Sequence, residues 1–340
     1  MSDKHVAQET EVVELTAKEF KPVVKEHIEC GEPFGVEGPP GCGKTSVPIQ
    51  AAEELGMITF ISNGELEDTT DGKGLPFRDP DNHNQVVWLK DKKYMIDFAA
   101  LWLHDDLARA PVAVIGTKAT LILENRIDDL KLPKGTCHGW TGNRTTDRAG
   151  ANRIPTMFYD RAVVYGLRYD AESQIEHMLT LDDVDHLTMR YLRMKGDAAF
   201  QFDANKKINS TSRAWTDVAK KLFRNPDTVY ATIAGRIGKG FATELMAFRN
   251  LAPQLPSVEE VLLNASKARV PESVSGQFLV TDMLADQAST NTFDALVEYA
   301  KRLPPEMQAK FVKDSLIRKP EVANTKAFTA WGVKFGEVLR

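Results

Sequence analysis

Phe20, Val23, Val24 and Ile28 recur at helical spacing, and Thr16 followed by Glu19 has the form of a capping box, so residues 16–30 are predicted to form an amphipathic helix ending at Gly31. Residues 33–37 are a short apolar run with the character of a strand. It leads into a glycine-rich loop, beyond which Val47, Ile49, Ala51, Ala52 and Leu55 mark a buried helix closed by Gly56. A second strand is expected over 57–61 and a third over 101–104. Pro111 then opens a helix running to about residue 125, at a first turn where its missing N–H costs nothing. This βαβα alternation predicts an α/β fold, a parallel sheet covered by helices.

A long insertion, residues 63–94, separates the second and third strands and contains Gly64, Gly72, Gly74, Pro76 and Pro80. Around the turn Asp79-Pro80-Asp81-Asn82 its flanks, 75–78 and 85–89, can pair as a hairpin; the alternative is a plain surface loop. After Tyr169 the β-like runs stop, and helices are expected between breaks at Gly196, Asn209, Pro226, Pro253, Pro256, Pro271, Pro304 and Pro320. Phe293, Leu296, Val297, Ala300 and Leu303, then Phe328, Trp331 and Phe335, mark amphipathic helices beyond a proline-flanked stretch at 251–270.

Of the 340 residues, 42% are hydrophobic and 27% charged, which excludes disordered and fibrous chains and leaves room for two or three domains. The net charge of −5 argues against a surface built to neutralise phosphate backbones, and the short basic clusters Lys90-Asp91-Lys92-Lys93 and Lys206-Lys207 read as solvated turns. Cys30, Cys42 and Cys137 are too few for a disulfide framework and lack metal-ligand spacing. The seven histidines suggest no metal site, and His104 is expected to pack against the sheet. Residues 1–14 lack the layout of a signal peptide, and no apolar stretch reaches the ~18 residues of a membrane helix, so a cytoplasmic protein is expected.

The chemistry concentrates at Gly38-Pro39-Pro40-Gly41-Cys42-Gly43-Lys44-Thr45, which fits the phosphate-binding pattern G-x-x-x-x-G-K-S/T and sits, as its mechanism requires, between a strand and a helix that begins near Ser46. The glycines let backbone N–H groups turn onto phosphate oxygens, and the helix N-terminus adds its positive dipole end. Lys44 is expected to reach the β and γ phosphates of ATP, and the Thr45 hydroxyl to ligate Mg2+. Pro48 is an oddity, since it removes a backbone donor just beyond the first turn of the helix.

The apolar run Leu101-Trp102-Leu103-His104 ends in two carboxylates, the pattern of a Walker B strand. Asp105 is the candidate holder of the metal and Asp106 the candidate activator of the attacking water; adjacent aspartates that merely begin a helix are the bland alternative, and Asp97 is a rival.

Asp105-Asp106-Leu107-Ala108-Arg109-Ala110-Pro111 closely resembles the D-E-L/I-N-R/K-A-P stretch of MoxR-type AAA+ ATPases of the helix-2-insert clade. Residues 140–150 resemble that family's A-T-G-N-x-x-S/T-D-x-A-G segment, which makes Asn143 the sensor 1 residue by resemblance. Tyr159-Asp160-Arg161 stands where the family has x-D/N-R-F, implying an arginine finger at Arg161 with Arg148 and Arg153 as rivals. Thr211-Ser212-Arg213-Ala214-Trp215 resembles S-P-R-x-W, implying sensor 2 at Arg213. The insertion resembles the family's helix-2 insert.

The likeness spans roughly residues 16–250 and implies a three-part chain: an AAA+ P-loop sheet domain (1–170), an all-helical lid (171–255) and C-terminal helices (256–340). It further implies an ATP-hydrolysing homo-oligomeric ring, a hexamer by likeness, that remodels or assembles a macromolecular partner, commonly beside a von Willebrand factor A domain protein. A DNA-associated motor and a nucleotide-gated assembly protein with slow turnover are the alternatives. The chain departs from the family at Asp106, where Glu is usual, and at Trp140, where a small residue is usual. The shorter carboxylate at 106 predicts slow hydrolysis.

Overall fold

The protein was analysed as a computed structural model, which describes residues 12–144 and 154–335. Its strands are β1 (Val13–Leu15), β2 (Phe34–Glu37), β3 (Thr59–Asn63), β4 (Leu75–Arg78), β5 (Val86–Leu89), β6 (Leu101–Asp105), β7 (Arg126–Ile127), β8 (Leu130–Lys131), β9 (Cys137–Gly142) and β10 (Val163–Leu167). Helices α1 (Ala17–Cys30), α2 (Ser46–Glu54), α3 (Thr69–Lys73), α4 (Val112–Glu124) and α5 (Thr156–Arg161) alternate with them. Then come α6 (Ala171–Leu179), α7 (His186–Lys195), α8 (Ser212–Arg224), α9 (Tyr230–Ile237) and α10 (Lys239–Leu251). The last are α11 (Val258–Leu263), α12 (Val274–Asp286), α13 (Phe293–Ala300), α14 (Pro305–Arg318) and α15 (Lys326–Phe335). Two compact units result, one of residues 1–177 with 200–216, the other of residues 178–199 with 217–340.

The first unit is an α/β P-loop domain whose six-stranded sheet has the order β1-β10-β2-β9-β6-β3, every pair parallel. Helix α1 starts at the expected capping box: Thr16 N–H donates to Glu19 Oε2 at 2.8 Å and Glu19 N–H to Thr16 Oγ1 at 3.2 Å. It stops at Gly31 in the left-handed conformation and buries Phe20, Val24 and Ile28 against Phe34, Val36, Ala51 and Ala52. Strand β3 begins two residues after its expected start. Met57 is committed to the end of α2, where its N–H bonds Ala52 O while the Gly56 N–H bonds Glu53 O, the paired bonds of a Schellman motif.

Strand β9 shows no apolar alternation because all six of its residues are buried. Its packing against β2 is instead large against small. Phe34 lies directly across from Gly139 and Gly35 across from Trp140, and a Cβ on either glycine would overlap the facing ring. Gly35 therefore accounts for Trp140: the indole takes the volume that a side chain on β2 would fill. Trp140 is fully buried and meets Phe158 of α5 edge-on at 6.2 Å between ring centres.

Within residues 63–94 the expected hairpin forms, with Leu75 opposite Leu89 and Arg78 opposite Val86. Leu75, Phe77, Val86, Trp88 and Leu89 on it are exposed. The short helix α3, capped by Asp68, precedes it and was not foreseen.

The described part of the second unit contains helices and no strand. Phe293 stacks on Phe311 at 5.6 Å in its core, and the fully buried Asp282 is met by Arg190, Arg193 and Arg318, the last at 2.5 Å. Pairing of this kind is what lets a carboxylate be buried. No helix among the described residues is long and apolar enough to cross a membrane.

The cross-strand fit at Trp140 can be measured. Gly35→Ala should cost ~1–3 kcal/mol by overpacking, read from urea unfolding. Trp140→Phe should itself destabilise, yet combined with Gly35→Ala it should give less than the sum of the two losses. Additive losses would mean that the two positions do not share the space.

Candidate functional site

The loop between β2 and α2 is shaped by its glycines. Gly41 (φ 73°) and Gly43 (φ 106°) take conformations that side chains disfavour, and a Cβ on Gly38 would run into the carbonyl oxygen of Leu167 on β10. Helix α2 starts at Ser46, so Pro48 falls in its first turn, between Val47 and Ile49, whose N–H groups bond Gly43 O and Thr45 O. Tyr169 holds the loop from outside, its hydroxyl donating to Pro40 O at 2.6 Å while its ring stacks on Phe200 at 5.9 Å. Cys42 is buried, and burial pushes its thiol up, away from nucleophilic use. Ser46 Oγ lies 3.4 Å from Gly43 O.

Lys44 is 7% exposed, and its ammonium donates to Gly38 O and Pro39 O, each at 2.9 Å, and to Asn143 Oδ1 at 3.0 Å. Thr45 Oγ1 donates to Asp105 Oδ1 at 2.6 Å. Asp105 ends β6, and Asp106 follows it in a left-handed turn (φ 49°, ψ 38°), which Asp and Asn tolerate better than longer side chains do. Asn143 Nδ2 lies 3.5 Å from Asp106 Oδ1, so its amide spans from the lysine to the second carboxylate. Burial first, and then the adjacent Asp105 charge, push the Asp106 carboxyl above its ordinary range.

The structure thus brings together Lys44, Thr45, Asp105, Asp106 and Asn143, at the carboxyl ends of β2, β6 and β9, which lie side by side. Asp97 sits exposed in the bend before β6. Arg213, near the start of α8, is exposed but close to the loop: a Cβ on Gly41 would lie 3.2 Å from Arg213 Cβ. Arg161, at the end of α5, is half-exposed and pairs with Glu124 at 3.6 Å rather than with a phosphate-loop residue. Arg148 and Arg153 lie outside the described residues. Thr141, which lies in the A-T-G-N-like stretch but was given no role from the sequence, donates to Asp105 Oδ1 at 2.8 Å, and Tyr169 is a further contributor that no motif marks.

No family model matches the chain, and no curated protein does. Among solved structures, it is similar to a candidate ATPase of Cytophaga hutchinsonii, at 15% identity over 90% of this chain and 81% of that one, with a TM-score of 0.36. It is also similar to the RuvB Holliday junction branch migration motor of Thermotoga maritima, at 16% identity over 68% and 67% of the two chains (TM-score 0.37). A third similarity is to NtrX of Brucella abortus, at 13% identity over 89% and 61% (TM-score 0.41). With TM-scores below 0.5, none of the three bears on what the site does.

Behind the carboxylates runs a buried polar chain. Lys118 of α4 is fully buried, pairs with Glu67 at the base of the insertion and donates to Ser62 Oγ at 2.7 Å. Ser62 Oγ meets His104 Nδ1 at 2.9 Å, His104 Nε2 lies 3.4 Å from His138 Nδ1, and His138 Nε2 meets Asn125 Oδ1 at 2.9 Å. One set of tautomers satisfies all three contacts, with Ser62 donating to His104 and each Nε2–H donating onward, and both rings neutral. Burial holds His104 well below its ordinary value and brings His138 down to about 3.

The unfolded chain takes up a proton on each ring near pH ~6.5, whereas folded His138 does so only at about 3. The unfolded state therefore binds more protons in that window, and stability falls as the pH is lowered through it. His138→Gln should make the loss between pH 7 and 5 shallower than in the wild-type chain, measured by urea midpoints. Equal slopes would contradict the buried neutral pair.

Proposed function

We propose that this chain is a Mg2+-dependent ATPase of the AAA+ class, related to the MoxR group, that acts as a homo-oligomeric ring, a hexamer by likeness, to remodel or assemble another macromolecule. What carries this reading is the hydrogen-bonded convergence of Lys44, Thr45, Asp105, Asp106 and Asn143 on one end of three adjacent parallel strands. A hydroxyl and a carboxylate 2.6 Å apart form a hard oxygen pair suited to Mg2+, which usually takes only one or two protein oxygens and completes its shell with phosphate and water. The left-handed loop glycines and the N-terminus of α2 suit phosphate.

Lys44 would exchange the carbonyls of Gly38 and Pro39 for β and γ phosphate oxygens, a trade of neutral acceptors for charged ones. Thr45 and Asp105 would hold Mg2+, which would supply positive charge against the phosphates. Asp106 would accept the proton of the attacking water, and Asn143 would orient that water beside it. Arg213, close to Gly41, would reach the phosphates from α8. Arg161, paired with Glu124 away from these residues, would serve a neighbouring subunit. A nucleotide-gated assembly protein with slow turnover is the second reading. The short carboxylate of Asp106 is what favours it, whereas the left-handed backbone, which suits Asp, weighs towards a site adapted to that residue.

Lys44→Ala should weaken binding of a fluorescent ATP analogue at least tenfold, since ~1.5–3 kcal/mol attaches to a hydrogen bond from a charged group. Asp106→Asn keeps a residue suited to the left-handed turn and removes only the charge. It should bind ATP normally and hydrolyse it ~10²–10⁴ times more slowly. Unaltered turnover in Asp106→Asn would remove it from the mechanism.

Arg161→Ala should retain ATP affinity and lose ~10³-fold or more in turnover. Mixed with Lys44→Ala subunits it should regain activity that neither variant shows alone, because some junctions then pair an intact lysine with an intact finger. Mixed rings as inactive as their components would place the finger elsewhere, with Arg148 and Arg153 next in line.

A further inference from the structure

We infer that Thr141 is a positioning residue for the hydrolysis proposed above, a single hydroxyl that sets both acidic side chains of the site; the inference rests on that ATPase reading. Thr141 is the fifth residue of β9 and is fully buried. Its Oγ1 donates to Asp105 Oδ1 at 2.8 Å and accepts the backbone N–H of Asp106 at 2.9 Å. The first bond acts on the metal-holding carboxylate. Asp105 Oδ1 accepts from Thr45 as well, so the oxygen is gripped from both sides, by the residue before α2 and by β9. The second bond acts on the base. The left-handed backbone of Asp106 is an uncommon state, and tying its N–H to a β-branched side chain of restricted χ1 holds the turn that keeps its carboxylate within 3.5 Å of Asn143.

Partners that orient metal-holding groups in this way typically carry ~10–100-fold in metal affinity or activity. Thr141 also lies two residues before Asn143 on the same strand end, so movement of β9 shifts the sensor side chain and both carboxylates together.

The test uses the full chain with Thr141→Val, which keeps the shape and removes the hydroxyl, and Thr141→Ser, which keeps the hydroxyl. In Thr141→Val, kcat should fall ~10–100-fold while the KM for ATP and the affinity for a fluorescent ATP analogue stay within about threefold of wild type. The Mg2+ concentration that half-saturates analogue binding should rise severalfold, a readout independent of turnover. Thr141→Ser should restore both quantities to near wild type. Should Thr141→Val fail to fold, Thr141→Ala takes its place. Wild-type kcat and Mg2+ dependence in the hydroxyl-free variant would overturn the inference, as would equal losses in the valine and serine variants, since packing would then be the cause. Absence of phosphate release from the wild-type chain in Mg2+ and ATP would instead overturn the ATPase reading.

Discussion

One carboxylate oxygen holds the site together. Asp105 Oδ1 accepts hydroxyl bonds from Thr45, 60 residues earlier, and from Thr141, 36 residues later, and so joins the ends of three strands that the sheet sets side by side. Everything nearby follows from that junction. Asp106 is turned by its own N–H onto Thr141, Asn143 emerges one step beyond the end of β9, and Lys44 lies within reach of Asn143 because its loop leaves β2 next door. Between β2 and β9 the fit is large against small, with the Phe34 ring over Gly139 and the Trp140 ring over Gly35.

Elements whose cause is local were legible in the sequence. The Thr16 capping box, the Gly31 stop, the glycine-rich loop and the 75–78 and 85–89 hairpin each rest on residues within a few positions of one another. The elements that escaped are those whose cause lies elsewhere in the chain. Strand β9 carries two glycines and a buried histidine because of what faces it, so neither strand propensity nor alternation marks it before its neighbours are known. Strand β1 is three residues at the sheet edge inside a polar stretch. Lys118 interrupts an apolar helix, which is a signal of a kind, but its partners Ser62 and Glu67 lie just before and within the start of a long insertion. Asp105, Asp106 and Asn143 were given candidate roles by motif; Thr141 lies in the same A-T-G-N-like stretch, but its part in the site shows only in its two hydrogen bonds.

The aspartate at 106 takes on a different meaning in the structure. Judged by side-chain length it is a carboxylate shorter than the Glu of the stretch it resembles. Judged by its backbone it is well suited to a left-handed turn, with its N–H bonded and its carboxyl raised by burial and by Asp105. The buried chain from Glu67 through Lys118, Ser62 and His104 places the root of the insertion in contact with the strand that ends at these carboxylates. Insertion and site are therefore joined by buried polar contacts within the same unit.

The most direct test of the account is a crystal structure of the chain grown with Mg2+ and a slowly hydrolysed ATP analogue. The account predicts phosphates lying along residues 38–46, Lys44 Nζ moved from the Gly38 and Pro39 carbonyls onto phosphate oxygens, and the metal beside Thr45 and Asp105. A nucleotide bound elsewhere, or a loop that keeps Lys44 on its own carbonyls at saturating nucleotide, would contradict it.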